Sequence, residues 1–579
     1  MKKQITLLSK CMAMGILSLS ITEATLAQTK TVIINKTKKF QKIDGFGSYG
    51  LNEVAWGGAP YYDANFVKTM VEDMGLTISR AEAYPMEASN DNDNPLVADM
   101  TKFKPSAFNQ AYWNFAKEAQ ALAKTHGDTI KFLYTVWTPP AWMKYTNTEN
   151  GEDPIWNRLI AKDYTPDDWM TFDPAKKPAA NPDDYKDEFV EHCWVHSKMF
   201  KDNTGFDLHA FSLQNELAFP EPYNSCLYSP NQYRELLRVA GKRFRDVEKS
   251  KIKFLMHEDI GDLGRFRQYM DAVTKDTETL KYQDIAACHA YNATGTLAGS
   301  TSASTWDGMY RVSNAKKTTP FWQTETSGYG LGWDGGMGLA KAIYIGLKFG
   351  KISAWVWWQT GEQDGGESEY ALIKANVKSK RYFTMKHFAR YIRPNAVGVD
   401  ATCAEDVDIL PLAFQHDGKK TLTVVLINQS TVEKTVKLSF ADPSITPTSY
   451  KMYITNASND CADKGSVNAG ADIKIAANTL VTLMGEGSMP IITGTESADD
   501  ANATFEVFPN PAATFAIVEY KTNINTTIEI KDAYARVIKS IPTVFTSNNF
   551  TTEINTEDLP NGIYFVQIEN KAKKLVINR

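Results

Sequence analysis

The sequence predicts an α/β protein: a (β/α)8 barrel of the TIM type carrying a side β-sandwich, followed by a small all-β C-terminal domain. Three observations predict it. From Gln41 to about Gln359, short apolar runs alternate with amphipathic stretches of helical period, eight times in succession. After Ser379 the apolar period becomes two, with Asn, Asp, Gly and Pro between the runs. From Gly494 to Ala503 the chain turns small and polar, the mark of a linker, before a last period-two stretch. A doubly wound open sheet is the alternative arrangement of the same barrel elements.

Taken in order, residues 1–27 read as a secretory signal peptide. Lys2 and Lys3 form its charged start, Met12 to Ile21 its apolar run, and Thr25-Leu26-Ala27 a small-residue cleavage site before Gln28. Residues 28–40 hold the strand "TKTVIINKT", which precedes the barrel and is expected to join the side sandwich. The barrel is expected over 41–393, with strands ending at "IDGFGSYG", "LTISRAEAYP", "IKFLYTVWTPPAWM", "LHAFSLQNE", "IKFLMHED", "DIAACHAYN", "PFWQTETSGYG" and "KISAWVWWQT". Among its helices, "NQAYWNFAKEAQALAKTHG" closes on Gly127. The helix "SPNQYRELLRVAGKRFRDVEK" opens on Ser229 as cap, Pro230 in the first turn and Gln232 completing a capping box. "KRYFTMKHFARYIRP" reads as a closing helix stopped by Pro394. The sandwich is expected over 394–490 from "TLTVVLINQS", "KTVKLSF", "SYKMYITN" and "NTLVTLMG", the linker over 491–503, and the C-terminal β domain over 504–579. Tight turns at Pro509-Asn510-Pro511 and Pro560-Asn561-Gly562 punctuate that last domain.

Composition narrows the function. A formal charge of -5 over 579 residues argues against nucleic acid as a partner, which would favour a basic surface. Thirteen Trp, 26 Tyr and 28 Phe suit a cleft where rings stack on sugar faces. No run after the signal peptide is long and apolar enough for a membrane span. Cys11 lies in the signal peptide. Cys193, Cys226, Cys288, Cys403 and Cys461 show no CxxC spacing, so no zinc site is expected, and no other metal or cofactor. A Cys403–Cys461 disulfide and buried free thiols are equally open readings.

In a barrel, active groups project from the C-terminal ends of the strands. Here those ends carry Arg80 and Glu82, Trp137 and Trp142, Asn215 and Glu216, His257 and Glu258, His289 and Tyr291, Glu325, and Trp357, Trp358 and Gln359. Glu216 and Glu325, on strands four and seven, are the carboxylates expected to face each other. Cleaving a glycosidic bond needs such a pair, one protonated for the leaving oxygen and one ionised at the anomeric carbon. Apolar neighbours Leu217, Ala218 and Phe219 and a facing carboxylate favour the neutral form of Glu216, the acid. Arg80 and Tyr291 are expected to hold Glu325 charged, as a nucleophile. Asn215 is expected to donate to a sugar hydroxyl beside the reacting carbon. Trp137, Trp142, His289, Tyr291 and Trp357 complete the expected substrate contacts. Trp357 and Trp358 cannot both point inward because strands alternate faces, and Trp357 is the expected one. Glu82 and Glu258 read as salt-bridge partners, with a role as alternative carboxylates the second reading. The long polar segment from Lys144 to about Asp187, with Trp156 and Trp169, reads either as a cleft wall or as a surface excursion.

With these residues in place, the chain from about Lys38 to Gly485 resembles glycoside hydrolase family 30. The resemblance rests on "IDGFGSYG", "ISRAEAYP", "VWTPPAWM", "FSLQNE", "CHAYN", "WQTETSGY", "SAWVWWQ" and "KRYFTMKHFARYIRPNAVGVDAT". It implies a barrel with a side sandwich and a retaining mechanism, with the acid/base at Glu216, the nucleophile at Glu325 and the strand-two arginine at Arg80. The closing helix and "AWVWWQ" look most like the xylanase-type branch. Glucuronoxylanases of that branch hold glucuronate with an arginine-bearing segment after strand eight; here that segment is "QTGEQDGGESEY", without arginine and acidic. Glucuronate-dependent cleavage is therefore not expected, and β-1,6-linked galactan or glucan, or an unsubstituted xylan, stays open.

The C-terminal segment resembles the sorting domain of type-nine secretion, through "FEVFPNPA", "LPNGIYFVQI" and the basic "KKLVINR". That resemblance implies export across the outer membrane, to the medium or the cell surface. The expectation is a secreted retaining glycosidase acting on a polysaccharide, with the secretion machinery as its protein partner. A non-catalytic glycan-binding surface protein on the same scaffold is the alternative.

Overall fold

A computed structural model describes residues 29–53, 63–162, 183–291, 302–362, 368–441, 447–486, 505–520, 526–532, 536–543, 550–568 and 571–578. The expected signal peptide, the 491–503 linker and Trp169 lie outside them. Two units, Met1–Met489 and Pro490–Arg579, are described in turn.

Eight parallel strands of the first unit close into a barrel: Gly45–Tyr49, Ile78–Glu82, Lys131–Thr135, Ala210–Ser212, Lys253–Ile260, Ile285–His289, Phe321–Glu325 and Ala354–Trp357. The first strand pairs with the last, Gly47 opposite Val356. All eight correspond to the strands read from sequence. Alternation along each strand turns one set of side chains into the barrel, where Ile78, Leu133, Leu255, Ile285, Trp322 and Val356 pack together. The other set faces the helices, as Phe46, Phe132, Phe211, Phe254 and Trp355 do. Gly47 is required by a close approach, since a Cβ there would fall 1.8 Å from the Ile78 carbonyl oxygen. Gly335 is fixed in the same way, since a Cβ there would sit 2.0 Å from the Gly330 oxygen.

Two interruptions of this alternation shape the mouth of the barrel. On strand five His257 has φ +37, and the register with strand six shifts between Met256 and Asp259. Strands six and seven shift between Cys288 and His289, so that Glu325 lies opposite His289. Each bulge turns a residue through to the other face. The helices follow their sequence signals. Ser229 accepts from the Gln232 amide while the Gln232 side chain accepts from Ser229, and Pro230 starts the helix Pro230–Gly241. Ala107–Thr125 ends before Gly127 at φ +68.

The side domain is one nine-stranded sheet in which the N-terminal strand Lys30–Lys42 lies between Val397–Thr402 (antiparallel) and Lys434–Phe440 (parallel). Strand Thr421–Asn428 explains why "TLTVVLIN" reads as nearly continuous apolar sequence. Leu422, Val424 and Leu426 enter the sheet's own core, while Val425 and Ile427 pack into the barrel core. All five described cysteines are free, so Cys403 and Cys461 form no disulfide; Cys461 instead lies 3.9 Å from the Tyr391 hydroxyl. Among the described residues no helix is long and apolar enough to cross a membrane.

The second unit holds a three-stranded and a four-stranded antiparallel sheet around Val518, Ile528, Ile530, Ile554, Val566 and Leu575. Asn510, in the predicted Pro509-Asn510-Pro511 turn, ties it to the last strand by donating to the Lys574 carbonyl and accepting from the Val576 amide.

Candidate active site

At the C-terminal ends of the strands the structure gathers a buried charged group around Arg80. Its side chain points inward because Ile78, Arg80 and Glu82 share the inner face of strand two. Nη1 donates to Glu325 Oε2 at 2.6 Å, Nη2 to Asn215 Oδ1 at 2.8 Å and Nε to Thr135 Oγ1 at 3.1 Å. Nε also lies 3.3 Å from Glu258 Oε1. Trp137 covers the guanidinium, its ring centre 4.7 Å from Cζ. A fully buried cation costs several kcal/mol unless it is paired. Burial works against the charge on Arg80, but Glu258 and Glu325 outweigh it and raise its pKa.

Opposite Arg80, His289 Nδ1 lies 2.8 Å from Glu216 Oε1 and 3.8 Å from Glu325 Oε1. Burial disfavours the imidazolium, yet Glu325 and Glu216 more than offset it and raise the His289 pKa. The nearest polar atoms of Glu216, His289 and Glu325 all lie within 4.8 Å of one another. Burial and the charge of Glu216 raise Glu325, against the pull of His289 and Arg80. Glu258 is the most firmly ionised: although buried, it is held below the usual carboxylate range by Arg80 and His289 and by hydroxyls of Ser212 and Thr135.

Glu216 has φ +40, a left-handed conformation that strains a residue with a Cβ, and its amide donates to the Glu258 carbonyl at 2.7 Å. The three polar residues at the end of strand four divide their work. Gln214 is structural: its amide donates to the Trp137 and Asn215 carbonyls. Asn215 bridges, accepting from Arg80 and donating to Glu221 Oε1 at 3.0 Å, which leaves one amide N–H for a ligand. Glu216 sets its carboxyl against His289.

Most expected site residues meet here: Arg80, Trp137, Asn215, Glu216, His289 and Glu325. Tyr291 is close, with its hydroxyl 3.1 Å from Ser327 Oγ and its pKa raised first by burial and then by the Glu325 charge. Two expectations are corrected. Trp357 is wholly buried in the core between barrel and helices, its indole donating to the Tyr370 carbonyl. Ala354 and Val356 occupy the barrel interior, so alternation turns Trp358 inward instead; it stacks on Tyr49 at 4.0 Å and lies 5.8 Å from Trp137. Trp142 sits on a short turn, edge-on to Tyr185 at 5.0 Å, and makes no described contact with the carboxylate group. Trp156 is likewise buried, against Tyr145.

Glu258, read from the sequence as a salt-bridge partner or an alternative carboxylate, pairs with Arg80, which it reaches because the His257 bulge reverses the alternation of strand five. Sequence reasoning missed two contributors. Glu221 is wholly buried, and burial together with the neighbouring Glu216 charge raises it well above the carboxylate range, so it stands as a neutral acid beside Asn215. Tyr223, 43% exposed, feels the charges of Glu221, Glu216 and Glu325 and lies at the rim. The short spacing of Glu221 and Tyr223 from Glu216 was the available signal.

The chain is 23% identical to the glucuronoxylanase XynC of Bacillus subtilis over 482 residues, 82% of this chain and 95% of that one. Its fold matches a subfamily 8 xylanase of glycoside hydrolase family 30 from Clostridium acetobutylicum, with TM-score 0.58 and 21% identity over 79% of this chain and all of that one. The fold is that of the family 30 glycoside hydrolases. An endo-β1,6-glucanase also matches, at TM-score 0.58 and 17% identity over 79% of this chain and 94% of that one. Residues 506–578 match the secretion system C-terminal sorting domain, which marks the chain for export by the type-nine route.

Proposed function

We propose that the protein is an exported retaining glycoside hydrolase that cleaves β-glycosidic bonds in a polysaccharide. The observation that carries this reading is the Glu216–Glu325 pair, with carboxylate oxygens within 4.8 Å, Arg80 on one member and His289 on the other. Direct displacement needs carboxyls about 5 Å apart, whereas a mechanism with an intervening water needs roughly 6.5–9.5 Å.

Arg80 binds Glu325 Oε2 and leaves Oε1 on the side of Glu216. Glu325 attacks the anomeric carbon as the glycosidic C–O bond breaks, and Glu216 delivers its proton to the departing oxygen. Water then attacks the same carbon, Glu216 takes the water's proton, and Glu325 is released with the original configuration restored. The spare Asn215 N–H is placed for a hydroxyl next to the reacting carbon, while Trp358, Tyr49 and Trp137 form an aromatic wall.

The rim after strand eight favours a neutral backbone. No arginine occurs between Thr360 and Lys374, and Glu362 is paired with Lys374 at 2.9 Å. The relative's name points to xylan and a structural neighbour's title to β-1,6-glucan, so both belong in the test. The full chain is incubated with unsubstituted xylan, glucuronoxylan, β-1,6-glucan and β-1,6-galactan, and new reducing ends are measured, with NMR of the first-formed anomer. Release of β-anomer is the expected result. Release of α-anomer would overturn the mechanism, and binding without release on every polymer would favour the glycan-binding alternative.

A further inference from the structure

We propose that the first unit contains a calcium-binding site outside the barrel mouth, built from Asp91, Glu188 and Glu191. Asp91 lies in the loop between strand two and the helix Ala107–Thr125; Glu188 and Glu191 lie one turn apart on the helix Lys186–Thr204. One carboxylate oxygen from each falls within 4.8 Å of the others.

Acidic residues gather on many surfaces without binding anything, and what sets this group apart is its unpartnered oxygens. Glu191 is only 1% exposed, and its Oε1 is shielded from solvent with no hydrogen-bond partner. Asp91 uses Oδ2 to accept from the Asp99 amide and the Asn92 side chain, which fixes the loop, while its Oδ1 is likewise shielded and unpartnered. A buried carboxylate left in this condition costs several kcal/mol unless a cation compensates it. The protein's own cation nearby, Arg243, pulls on Glu191 only through space. Arg243 binds the carbonyls of Pro95 and Leu96 and pairs with Glu248 at 3.0 Å, and makes no ion pair with the three acids. Glu87, the next carboxylate, is turned away onto His192 Nδ1 at 3.1 Å.

The donors decide the ion. All are hard oxygens, with no thiolate or imidazole among them, which selects calcium or magnesium over zinc. Ligand oxygens can be no further apart than two metal–oxygen bonds, about 5 Å for calcium and about 4 Å for magnesium, and calcium alone also accepts irregular geometry. Oxygens within 4.8 Å of one another lie inside the span calcium bridges, and its flexible coordination suits donors drawn from a loop and a helix. Bound there, the ion would join the loop after strand two, whose strand carries Arg80, to the helix that precedes strand four, whose end carries Asn215 and Glu216.

The test uses the full chain, stripped with EDTA and returned to calcium chloride or magnesium chloride. Titration calorimetry should show one calcium per chain, a melting temperature that rises saturably, and a response to magnesium at least about tenfold weaker in affinity. Glu191→Gln should weaken calcium binding about tenfold or more, and Asp91→Asn, on a surface loop, serves as the second variant if the first folds poorly. Glu325→Gln, whose carboxylate belongs to the other acidic group, should bind calcium unchanged. Absence of a calcium response in the wild type, or one that survives both Asp91→Asn and Glu191→Gln, would overturn the site. Neither result bears on glycoside hydrolysis, which the polymer assay reads separately.

Discussion

Two acidic groups lie in the same unit, and they are balanced in opposite ways. At the barrel mouth Glu258 and Glu325 surround Arg80, Glu216 and Glu325 surround His289, and Glu221 is neutral; every charge has a counter-charge within hydrogen-bonding or ion-pair reach. In the group of Asp91, Glu188 and Glu191, burial first and then neighbouring carboxylates push Glu188 up to about 7 and Glu191 up to about 8, the latter against a weaker pull from Arg243. The first group fixes each carboxylate against an opposite charge. The second crowds carboxyl groups together without one bonded to them. The difference teaches that two clusters of the same residue type can have opposite electrostatics, set by where the cations lie.

That comparison can be broken or sharpened by four variants. Glu325→Ala should lower kcat on the active polymer by on the order of 10⁵-fold with an unchanged circular dichroism spectrum, and added azide should restore part of the turnover with inverted product. Rescue with retained product would remove the nucleophile role from Glu325. Glu258→Gln takes a partner from buried Arg80 and should destabilise by about 3 kcal/mol in urea unfolding, because an unpaired internal charge remains. Glu191→Gln should act with the opposite sign, stabilising the calcium-stripped protein by about 1 kcal/mol as it removes repulsion. If both variants shift stability in the same direction, the contrast between the groups fails. Glu221→Gln should change stability by less than about 1 kcal/mol, since the amide resembles the protonated acid it replaces.

The barrel was legible because its strands are short, apolar and separated by capped helices, and the signals at Ser229, Pro230 and Gln232 are local. The facing of Glu216 and Glu325 was legible as well, since both end strands that had to be strands. What escaped the sequence depends on alternation and its interruption. The choice between Trp357 and Trp358 turns on whether Ala354 and Val356 or Trp355 fills the barrel, and only three-dimensional packing decides that. Glu258 was read as a salt-bridge partner, but its pairing with Arg80 depends on a bulge at His257, which no propensity announces. Asp91 carried no reading, because its neighbours Glu188 and Glu191 are far along the chain.

The strand Lys30–Lys42 has a consequence for how this polypeptide acquires its shape. Ile33 finds its neighbours at Thr402 and Ser439, so the earliest part of the sheet must wait for some of the latest. Contacts so distant in sequence are slow to form and leave an unpaired edge in the interim. A fragment ending at the last barrel helix would strand that edge permanently and expose Leu412, Phe414, Val425 and Ile427's docking surface on the barrel. Barrel and sheet are therefore expected to mature together, late, and to be lost together on heating.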